Sequence, residues 1–524
     1  MNGKRLNTIY TSAQPYSVEA AKILKVDSGI EPVYWLCSEV MKVEIEKNFP
    51  HAITHDQLSS FKGLPAPMFK GDIKSEHSLV DRLSSYENIA LSMMDRNDSN
   101  SGTFSYTERL RFYYDLIGYW SSVIRTLSVD LIVFEEEPHQ SSDYILFLVA
   151  REQGLQTYMP VRTIADFGLI PMSDFEAGSE LLHTLVERHQ NDIVPNTLPD
   201  YAARYLEKLR GTYESVLAEH LWDQVDRVKS IRKPTRFTFL ADAQFFSAKI
   251  FVFSSLVQRL RFLLGFDTFP SDQKQKGQKL QDSRVSYPEM VFNRLKTYFK
   301  KKSNRAYYQK LTKNELDLDQ PYVFCGLQYQ PEKSTCPLAG RFVDQTLMCE
   351  MLADSVPEGW KVFVKEHPSQ FVPDYTRYGE RFRDSNFYDR LKRNPKIELV
   401  PLSADTFELV DAARAVASAT GTLCWESVVR EKPALCFGHA WFDSCEGVFK
   451  VNSSRELEDG LKLIEGGYKV DYRLVERFVV CLLEVSRRAA VGGPAQLEHL
   501  GITVKENASV HAALLMDILR AEHG

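Results

Sequence analysis

Between residues 322 and 437 the chain alternates short apolar runs with helix-like segments, and this alternation restricts the fold more than any other feature. Buried strands are predicted for five runs: 322–325, 362–364, 397–400, 415–419 and 433–437. Helices are predicted for the segments between them, over 342–352, 375–392, 405–412 and 425–430. Strands that alternate with helices form mainly parallel sheets with helices on both faces. The pattern therefore predicts a doubly wound α/β unit.

The first part of the chain shows a weaker form of the same alternation. Its strand-like runs are 8–11, 32–36, 52–54 and 130–134, and its helix-like segments include 78–94, 106–127 and 143–152. We therefore expect two Rossmann-like domains facing each other across a cleft. The expected division is an N-terminal Rossmann-like domain (1–175), a helical, basic insertion and linker (176–318), a C-terminal Rossmann-like domain (319–470) and C-terminal helices (471–524). The last helix is expected to cross back onto the first domain.

The composition excludes several classes of protein. A chain of 524 residues is too long for one ordinary core, and 44% hydrophobic with 26% charged residues fits a globular protein. The eight cysteines form no CxxC pair, which argues against a disulfide framework or a zinc ribbon. The N-terminus lacks the apolar region of a signal peptide, and no uncharged apolar run approaches a membrane span. We expect a cytoplasmic protein.

Positive charge is concentrated in residues 258–313, where fourteen Lys or Arg face four Asp or Glu, although the whole chain carries a net charge of −6. Such a block favours contact with an anionic membrane surface on the inner face of the cell membrane. A solvated basic surface explains the same composition equally well. No nucleic-acid partner is expected.

Two loops at predicted strand ends have the chemistry of a phosphate site, because ligands of open α/β sheets bind at the carboxyl ends of strands and helix N-termini attract anions. They supply a cation, an imidazole, small hydroxyl residues and a carboxylate: Lys365, His367 and Pro368, then Thr420, Gly421, Thr422, Glu426 and Ser427. A histidine bonded to neighbouring backbone and a threonine that caps a helix are the structural alternatives.

Two further loops complete the predicted cleft. Gln328, Gln330 and Glu332 follow the first strand of the C-terminal domain and are expected to line the donor site, unless they form a plain surface loop. The candidates for catalysis follow the buried strand 130–134 and are Glu135, Glu136, Glu137 and His139. Three adjacent carboxylates repel one another, and a carboxyl group with a raised pKa can act as a general base. A solvated acidic turn is the alternative.

The chain has no GxGxxG, Walker A or HExxH pattern and no suitably placed Asp-x-Asp, so neither a metal nor a cofactor is expected. The order of KEHP, TGT…WES and KPALCFG, each associated with a strand, resembles the C-terminal domain of GT-B glycosyltransferases. More narrowly, it is similar to the bacterial capsule polysaccharide biosynthesis family, which includes transferases that add Kdo to lipid acceptors. Bacterial GT-B sialyltransferases similarly use a His-Pro motif.

The resemblance implies that 1–175 is the acceptor domain and 319–470 the donor-binding domain, and it implies a role for each loop. Lys365 and His367 would contact the donor phosphate, the 420–427 loop would line the nucleotide pocket, and an acidic N-terminal residue would act as the base. The implied reaction is transfer of a sugar from a nucleotide-linked donor to a surface polysaccharide or glycolipid acceptor, without a metal. The alternatives are a nucleotide-sugar epimerase of GT-B shape, an alditol-phosphate or phosphoribosyl transferase, and a non-catalytic polysaccharide assembly protein.

Overall fold

The computed structural model describes residues 5–12, 14–74, 76–96, 104–164, 167–189, 198–212, 287–313, 315–372 and 379–521. The first of its sheets contains β1 (Leu6–Thr11), β2 (Ile30–Cys37), β3 (Ile53–Asp56), β4 (Leu131–Phe134), β5 (Gln156–Arg162) and β6 (Leu169–Met172). The strand order is β3-β2-β1-β4-β5-β6. All neighbours are parallel except β6, which is antiparallel to β5.

The second sheet is parallel throughout. It contains β7 (Tyr322–Gly326), β8 (Lys361–Lys365), β9 (Ile397–Val400), β10 (Ala415–Ser418), β11 (Ala434–Cys436) and β12 (Val448–Lys450). The strand order is β12-β11-β10-β7-β8-β9. The predicted fold class, two doubly wound α/β units of GT-B-like architecture, is confirmed by these two sheets.

Helices cover the sheets and are numbered here in chain order. Those before the second sheet are α1 (Pro15–Ser28), α2 (Glu39–Asn48), α3 (Gln57–Phe61), α4 (His77–Arg82), α5 (Glu87–Met93), α6 (Tyr106–Leu127), α7 (Ser141–Glu152), α8 (Glu180–Arg188), α9 (Asp200–Arg210) and α10 (Tyr287–Leu311). Those after β7 are α11 (Gln345–Ser355), α12 (Ser385–Lys392), α13 (Thr406–Ala412), α14 (Thr422–Val429), α15 (Ser454–Glu465), α16 (Tyr472–Val485), α17 (Pro494–Leu500) and α18 (Val504–Ala521).

Each sheet has one point at which the strand order reverses. It lies between β1 and β4 in the first sheet and between β7 and β10 in the second. The loops after these strands border a crevice, and open α/β sheets bind ligands in such crevices. The 135–139 loop follows β4, whereas the loops that begin at Leu327 and Ala419 follow β7 and β10. The topology therefore brings three of the predicted loops to reversal points.

The lysine-rich stretch 299–311, within the region predicted to be a helical, basic insertion and linker, belongs to the long helix α10. Tyr298, Lys301, Asn304 and Tyr308 are buried and recur at the spacing of one helical face. The Lys301 ammonium donates to the Val372 carbonyl at 3.0 Å. A lysine can bury its aliphatic stem when its ammonium group donates to an oxygen atom. A high lysine content therefore does not prevent a helix from packing against the rest of the protein. The rest of the basic block, 258–286, lies outside the described residues.

The last helix, α18, packs on the first sheet, as predicted. Leu514, Leu515 and Ile518 are buried in one cluster with Leu24 of α1 and Leu131 of β4. This return places residues from the end of the chain beside the carboxyl end of β1.

Three strands were missed by the sequence prediction: β5, β6 and β12. Pro160 of β5 pairs with Pro171 of β6 in the antiparallel ladder. Proline cannot donate to a ladder, so its presence argues against a strand except near an edge. Both β6 and β12 are edge strands, and β12 has only three residues. Short edge strands lack the long apolar run that identified the central ones.

Candidate active site

Gln328 connects the two loops at the reversal point of the second sheet. Its Oε1 accepts from the Thr420 backbone N–H at 2.8 Å, and its Nε2 donates to the Thr420 hydroxyl oxygen at 3.1 Å. The Thr420 hydroxyl donates in turn to the Ser334 carbonyl at 2.7 Å. Gln328 and Thr420 therefore use their polar groups to fix the shape of the crevice.

The KEHP residues have different environments. Lys365 is 4% exposed, and its ammonium donates to the Ala404 carbonyl at 2.6 Å and the Thr406 hydroxyl at 2.8 Å. His367 is exposed, and its Nδ1 accepts from the Ser369 backbone N–H at 3.2 Å. A neutral ring whose Nδ1 accepts carries its proton on Nε2. Pro368 begins the short turn that this contact caps.

A buried ion pair between Arg383 and Glu366 lies next to the His367 loop and is bonded to it. Arg383 Nε lies 2.6 Å from Glu366 Oε2, and the two side chains are 1% and 0% exposed. The Glu366 carboxylate also accepts from the Tyr388 hydroxyl at 2.9 Å and from the His367 backbone N–H at 2.9 Å. The Arg383 guanidinium donates to Gln330 Oε1 at 3.1 Å. Gln330, predicted to line the donor site, is 3% exposed and joins the loops after β7 and β8.

The TGT loop leads directly into α14. Gly421 is the N-cap residue, and no side chain of the N-cap residue accepts a hydrogen bond from the first backbone N–H groups of the helix. Thr422 is exposed. Burial raises the pKa of Glu426 to about 7, although a hydrogen bond from the Thr422 side chain partly opposes this. The Ser427 hydroxyl is fully buried and donates to Cys424 O at 2.8 Å, within its own helix.

Lys333 bridges the two halves of the molecule at the predicted catalytic loop. Its Nζ lies 2.8 Å from Glu136 Oε2 and 3.0 Å from Glu137 Oε2. Burial raises the pKa of Glu136, but the Lys333 ammonium outweighs burial and holds that pKa at about 2. Burial lowers the pKa of Lys333, but the two carboxylates outweigh it and raise the pKa above its usual value. Lys333 and Glu136 are therefore both ionised at neutral pH.

His139 is held neutral in the same loop. Its Nδ1 lies 3.0 Å from the Glu137 carbonyl, and a carbonyl can only accept, so Nδ1 carries the proton and Nε2 keeps a lone pair. Burial lowers the pKa of His139, and Glu136, whose Oε1 is 3.9 Å from Nδ1, opposes this only in part. The Arg96 guanidinium donates to the His139 carbonyl at 2.6 Å and also to the Cys336 carbonyl across the cleft.

The structure adds four residues that the sequence reasoning missed: Lys333, Arg383, Arg96 and Asp143. Burial raises the pKa of Asp143 to about 7, although hydrogen bonds from backbone N–H groups, the strongest from Gln140 at 2.7 Å, lower it. Asp143 is the third residue of α7 and bonds back to the N-cap residue. A carboxylate three residues after a polar N-cap is a recognisable signal of that role.

The other predicted residues lie near the contact between the two halves. Glu332 is exposed and accepts from the Ser334 hydroxyl at 3.1 Å, and Glu135 borders a cavity under the first sheet. Within the described ranges, no group of three or more His, Cys, Asp or Glu residues could hold a metal ion. Of the helices in those ranges, none is both long and apolar enough to span a bilayer.

Comparisons with known proteins give structural neighbours only. No family model matches the chain, and no curated protein matches it. The β-Kdo 2,4 transferase KpsC of Thermosulfurimonas dismutans is 12% identical, covers 71% of this chain and 87% of its own, and has a TM-score of 0.30. The UDP-GlcNAc 2-epimerase of Methanocaldococcus jannaschii, in complex with UDP-GlcNAc and UDP, is 12% identical, covers 92% and 100%, and has a TM-score of 0.22.

A third neighbour is the sucrose-phosphate synthase of Thermosynechococcus elongatus, which is 9% identical, covers 99% of this chain and 100% of its own, and has a TM-score of 0.25. These three neighbours are a transferase, an epimerase and a synthase. At these identities and TM-scores the likenesses carry no argument about activity. The fold class rests on the two sheets described above, and the function has to be argued from the residues of the site.

Proposed function

We propose that the chain is a glycosyltransferase that moves a sugar from a nucleotide-linked donor to a surface polysaccharide or glycolipid acceptor. One observation carries the proposal: Lys333, from the loop after β7, pairs with Glu136 and Glu137, from the loop after β4. Because of this pairing, the reversal-point loops of both sheets border one cleft. A two-substrate transfer requires two binding crevices that face a common reaction centre.

The donor side of the proposal rests on the second sheet. The uncapped N-terminus of α14 at Gly421 and Thr422 offers backbone N–H groups to a phosphate. His367 offers Nε2–H from the loop after β8, and β8 is two strand spacings, roughly 10 Å, from β10. That separation suits a diphosphate or a phosphate with its ribose. Glu426, one turn into α14, would accept from a ribose hydroxyl.

The acceptor hydroxyl needs a base, and His139 fits that role better than the glutamates beside it. A carboxylate with a pKa of about 2, such as Glu136, is a weak base at neutral pH. His139 is neutral and its Nε2 keeps a lone pair. In the proposed step, Nε2 takes the hydroxyl proton while the acceptor oxygen bonds to the anomeric carbon. The bond from that carbon to the donor phosphate breaks, and its electron pair goes to the phosphate oxygen.

Lys365 is assigned a positioning role in this proposal. Its two bonds to the loop after β9 hold the end of β8, and with it the His367 loop. Membrane contact through 258–313 on the cytoplasmic face also remains part of the proposal. Within α10, Lys300 and Lys302 are exposed and could face anionic lipid. Flotation with vesicles that contain anionic lipid, compared with neutral vesicles, tests this contact.

The transferase proposal is tested with the purified full-length chain and a panel of CMP-, UDP- and GDP-sugars. Nucleotide release is measured with and without candidate acceptors. His139→Gln should lower kcat by about 10²- to 10⁴-fold with little change in the donor KM, since it removes only the base. Glu426→Gln should raise the donor KM. His77→Gln, at an exposed position, serves as the control.

Two outcomes would overturn the assignment. Full activity of His139→Gln would remove the proposed base. Conversion of a nucleotide sugar to its epimer without any acceptor would favour the epimerase instead.

A further inference from the structure

The segment that follows β3, residues 57–74, forms a strip of surface with an unusual number of exposed apolar side chains. Four large ones are 47% to 68% exposed: Leu58, Leu64, Met68 and Ile73. Single apolar side chains are common at protein surfaces, whereas several on one stretch of surface mark an interaction site. The 57–74 strip is therefore a candidate for contact with a partner.

The strip lies lengthwise along α6, which fixes its position. A Cβ at Gly63 would lie 2.5 Å from the Phe112 ring, and a Cβ at Gly71 would lie 2.7 Å from Thr126 Oγ1. Phe112 and Thr126 are 14 residues apart on α6, so they lie on nearly the same face of the helix and are separated by about 20 Å. One side of the strip thus rests on α6, and the other is presented to the surroundings.

The backbone at the centre of the strip has few hydrogen-bond donors to offer. Pro65 and Pro67 have no N–H group. The Leu64 and Ala66 N–H groups both donate within the protein, the second of them to the Tyr119 hydroxyl at 2.9 Å. An acyl-chain environment cannot satisfy a free N–H group, so such a backbone is suited to an apolar surface.

The charges of the strip favour a lipid surface over a protein partner. It has three exposed lysines, Lys62, Lys70 and Lys74, and one acid, Asp72, which gives 3 − 1 = +2 on a chain whose net charge is −6. Protein interfaces are enriched in aromatic residues and arginine and depleted in lysine. The strip has no arginine, and both of its phenylalanines are buried. Lysines beside exposed Leu, Met and Ile match a membrane-surface segment, in which ammonium groups stay with the head-group phosphates.

We propose that the 57–74 strip docks on an anionic bilayer, with Leu64 and Met68 entering the boundary between head groups and acyl chains. This contact is separate from the one proposed for 258–313, and it rests on the proposed function only in naming a glycolipid acceptor. Ser60 Oγ of the strip lies 2.7 Å from Ser142 Oγ of α7, and α7 begins two residues after His139. A docked strip would therefore hold the proposed catalytic loop near the bilayer that anchors such an acceptor.

The test is flotation of the purified full-length chain with phosphatidylcholine vesicles, with and without phosphatidylglycerol. Wild type should float with the anionic vesicles. The double substitution Leu64→Ser with Met68→Ser should weaken this binding by about tenfold or more, because it removes the two side chains that enter the bilayer. Val26→Ser with Leu463→Ser, at exposed positions of α1 and α15, is the matched control and should leave binding unchanged.

A second pair of variants tests the charges. Lys62→Gln with Lys70→Gln should weaken binding to the anionic vesicles by about tenfold or more, and the difference from wild type should shrink as salt is added. Lys462→Gln with Lys469→Gln removes the same charge from another exposed surface and should have little effect.

Insertion is measured directly by fluorescence. Tryptophan introduced by Met68→Trp should be quenched by lipids brominated in their acyl chains. Tryptophan introduced by Val26→Trp should not add to the quenching of wild type. Thermal unfolding of each variant checks that it folds.

Three results would overturn the proposal: no binding of wild type to anionic vesicles, strip variants that bind as well as their controls, or no added quenching at position 68. Loss of binding only in Lys300→Gln with Lys302→Gln would assign the membrane contact to α10 instead. A dimer that Leu64→Ser with Met68→Ser dissociates, without vesicle binding, would assign the strip to a second copy of the chain.

The transferase assay with a soluble acceptor is independent of these measurements. Vesicle binding through the strip without any sugar transfer would refute only the proposed transfer. Sugar transfer to a soluble acceptor without vesicle binding would refute only the docking strip.

Discussion

Replacing Lys333 by methionine tests how strongly the ion pair joins the two halves of the molecule. Methionine keeps most of the aliphatic stem and removes the cation. Lys333 Nζ is 2.8 Å from Glu136 and 3.0 Å from Glu137, and the side chains of these residues are 28%, 37% and 8% exposed. The substitution therefore leaves two carboxylates next to each other without their shared cation, one of them nearly buried.

The expected decrease in the free energy of unfolding lies between two known limits. Exposed ion pairs contribute about 0–1 kcal/mol, and breaking a fully buried pair costs about 3–5 kcal/mol. For this half-buried group we expect about 2 kcal/mol at pH 7. Glu136 has a folded pKa of about 2, below its unfolded value of about 4.3, so its contribution is present above pH ~4.3 and is lost as the pH falls through 2. The cost of Lys333→Met should therefore shrink on acidification.

Differential scanning calorimetry at pH 7 and pH 3 measures this effect. Lys74→Met is the control, because the Lys74–Asp72 pair has exposures of 68% and 72% and should contribute little. The double mutant Lys333→Met with Glu136→Gln should cost less than the sum of the single changes, by about 1 kcal/mol. The reasoning is refuted if Lys333→Met lowers Tm no more than the control at pH 7, or if its effect is the same at both pH values.

Three further changes have defined outcomes. Arg383→Met breaks the buried ion pair with Glu366 and should lower the free energy of unfolding by about 3–5 kcal/mol. The same change at the exposed Arg390 should lower it by less than about 1 kcal/mol. Similar losses in thermal unfolding would contradict the burial argument. Glu426 has a folded pKa of about 7, above its unfolded value, so the free energy of unfolding falls as the pH rises to 7. Glu426→Gln should therefore raise the free energy of unfolding by about 2 kcal/mol at pH 8 and leave it unchanged at pH 4. The shift in Tm at the two pH values measures this difference. Gly438→Ala should lower Tm because its Cβ would lie 2.5 Å from a backbone carbonyl, and an unchanged Tm would contradict that.

The central strands were predictable because buried parallel strands are continuous apolar runs. β7, β9 and β10 follow directly from that pattern. The packing of helix α10 could not be predicted, because its buried face includes Lys301 and Asn304. The burial of these two side chains depends on oxygen atoms more than 70 residues away in the chain. A local pattern of polarity cannot report a distant partner.

The site was predictable as a set of loops but not as a set of roles. Lys365 carries the charge that a phosphate site needs, yet its ammonium bonds to the loop after β9, and nothing in its neighbours in sequence indicates this. Lys333 lies in a polar loop at a strand end, and its carboxylate partners are 196 and 197 residues away. Tyr16 and His511 stack although they come from opposite ends of the chain.

Three consecutive glutamates drew attention to the 135–139 loop in the sequence, but their repetition did not show which group of the proposed catalytic loop can act as a base. In the structure they have different environments: Glu135 borders a cavity under the first sheet, while Glu136 and Glu137 share Lys333. Pairing with a cation stabilises a carboxylate and makes it a weaker base, so the ion pair that joins the two halves weakens Glu136 as a proton acceptor. His139 keeps a lone pair because its other nitrogen donates to the Glu137 carbonyl. The acidic loop thus fixes the cleft and orients the imidazole, and the imidazole is the better candidate for proton transfer.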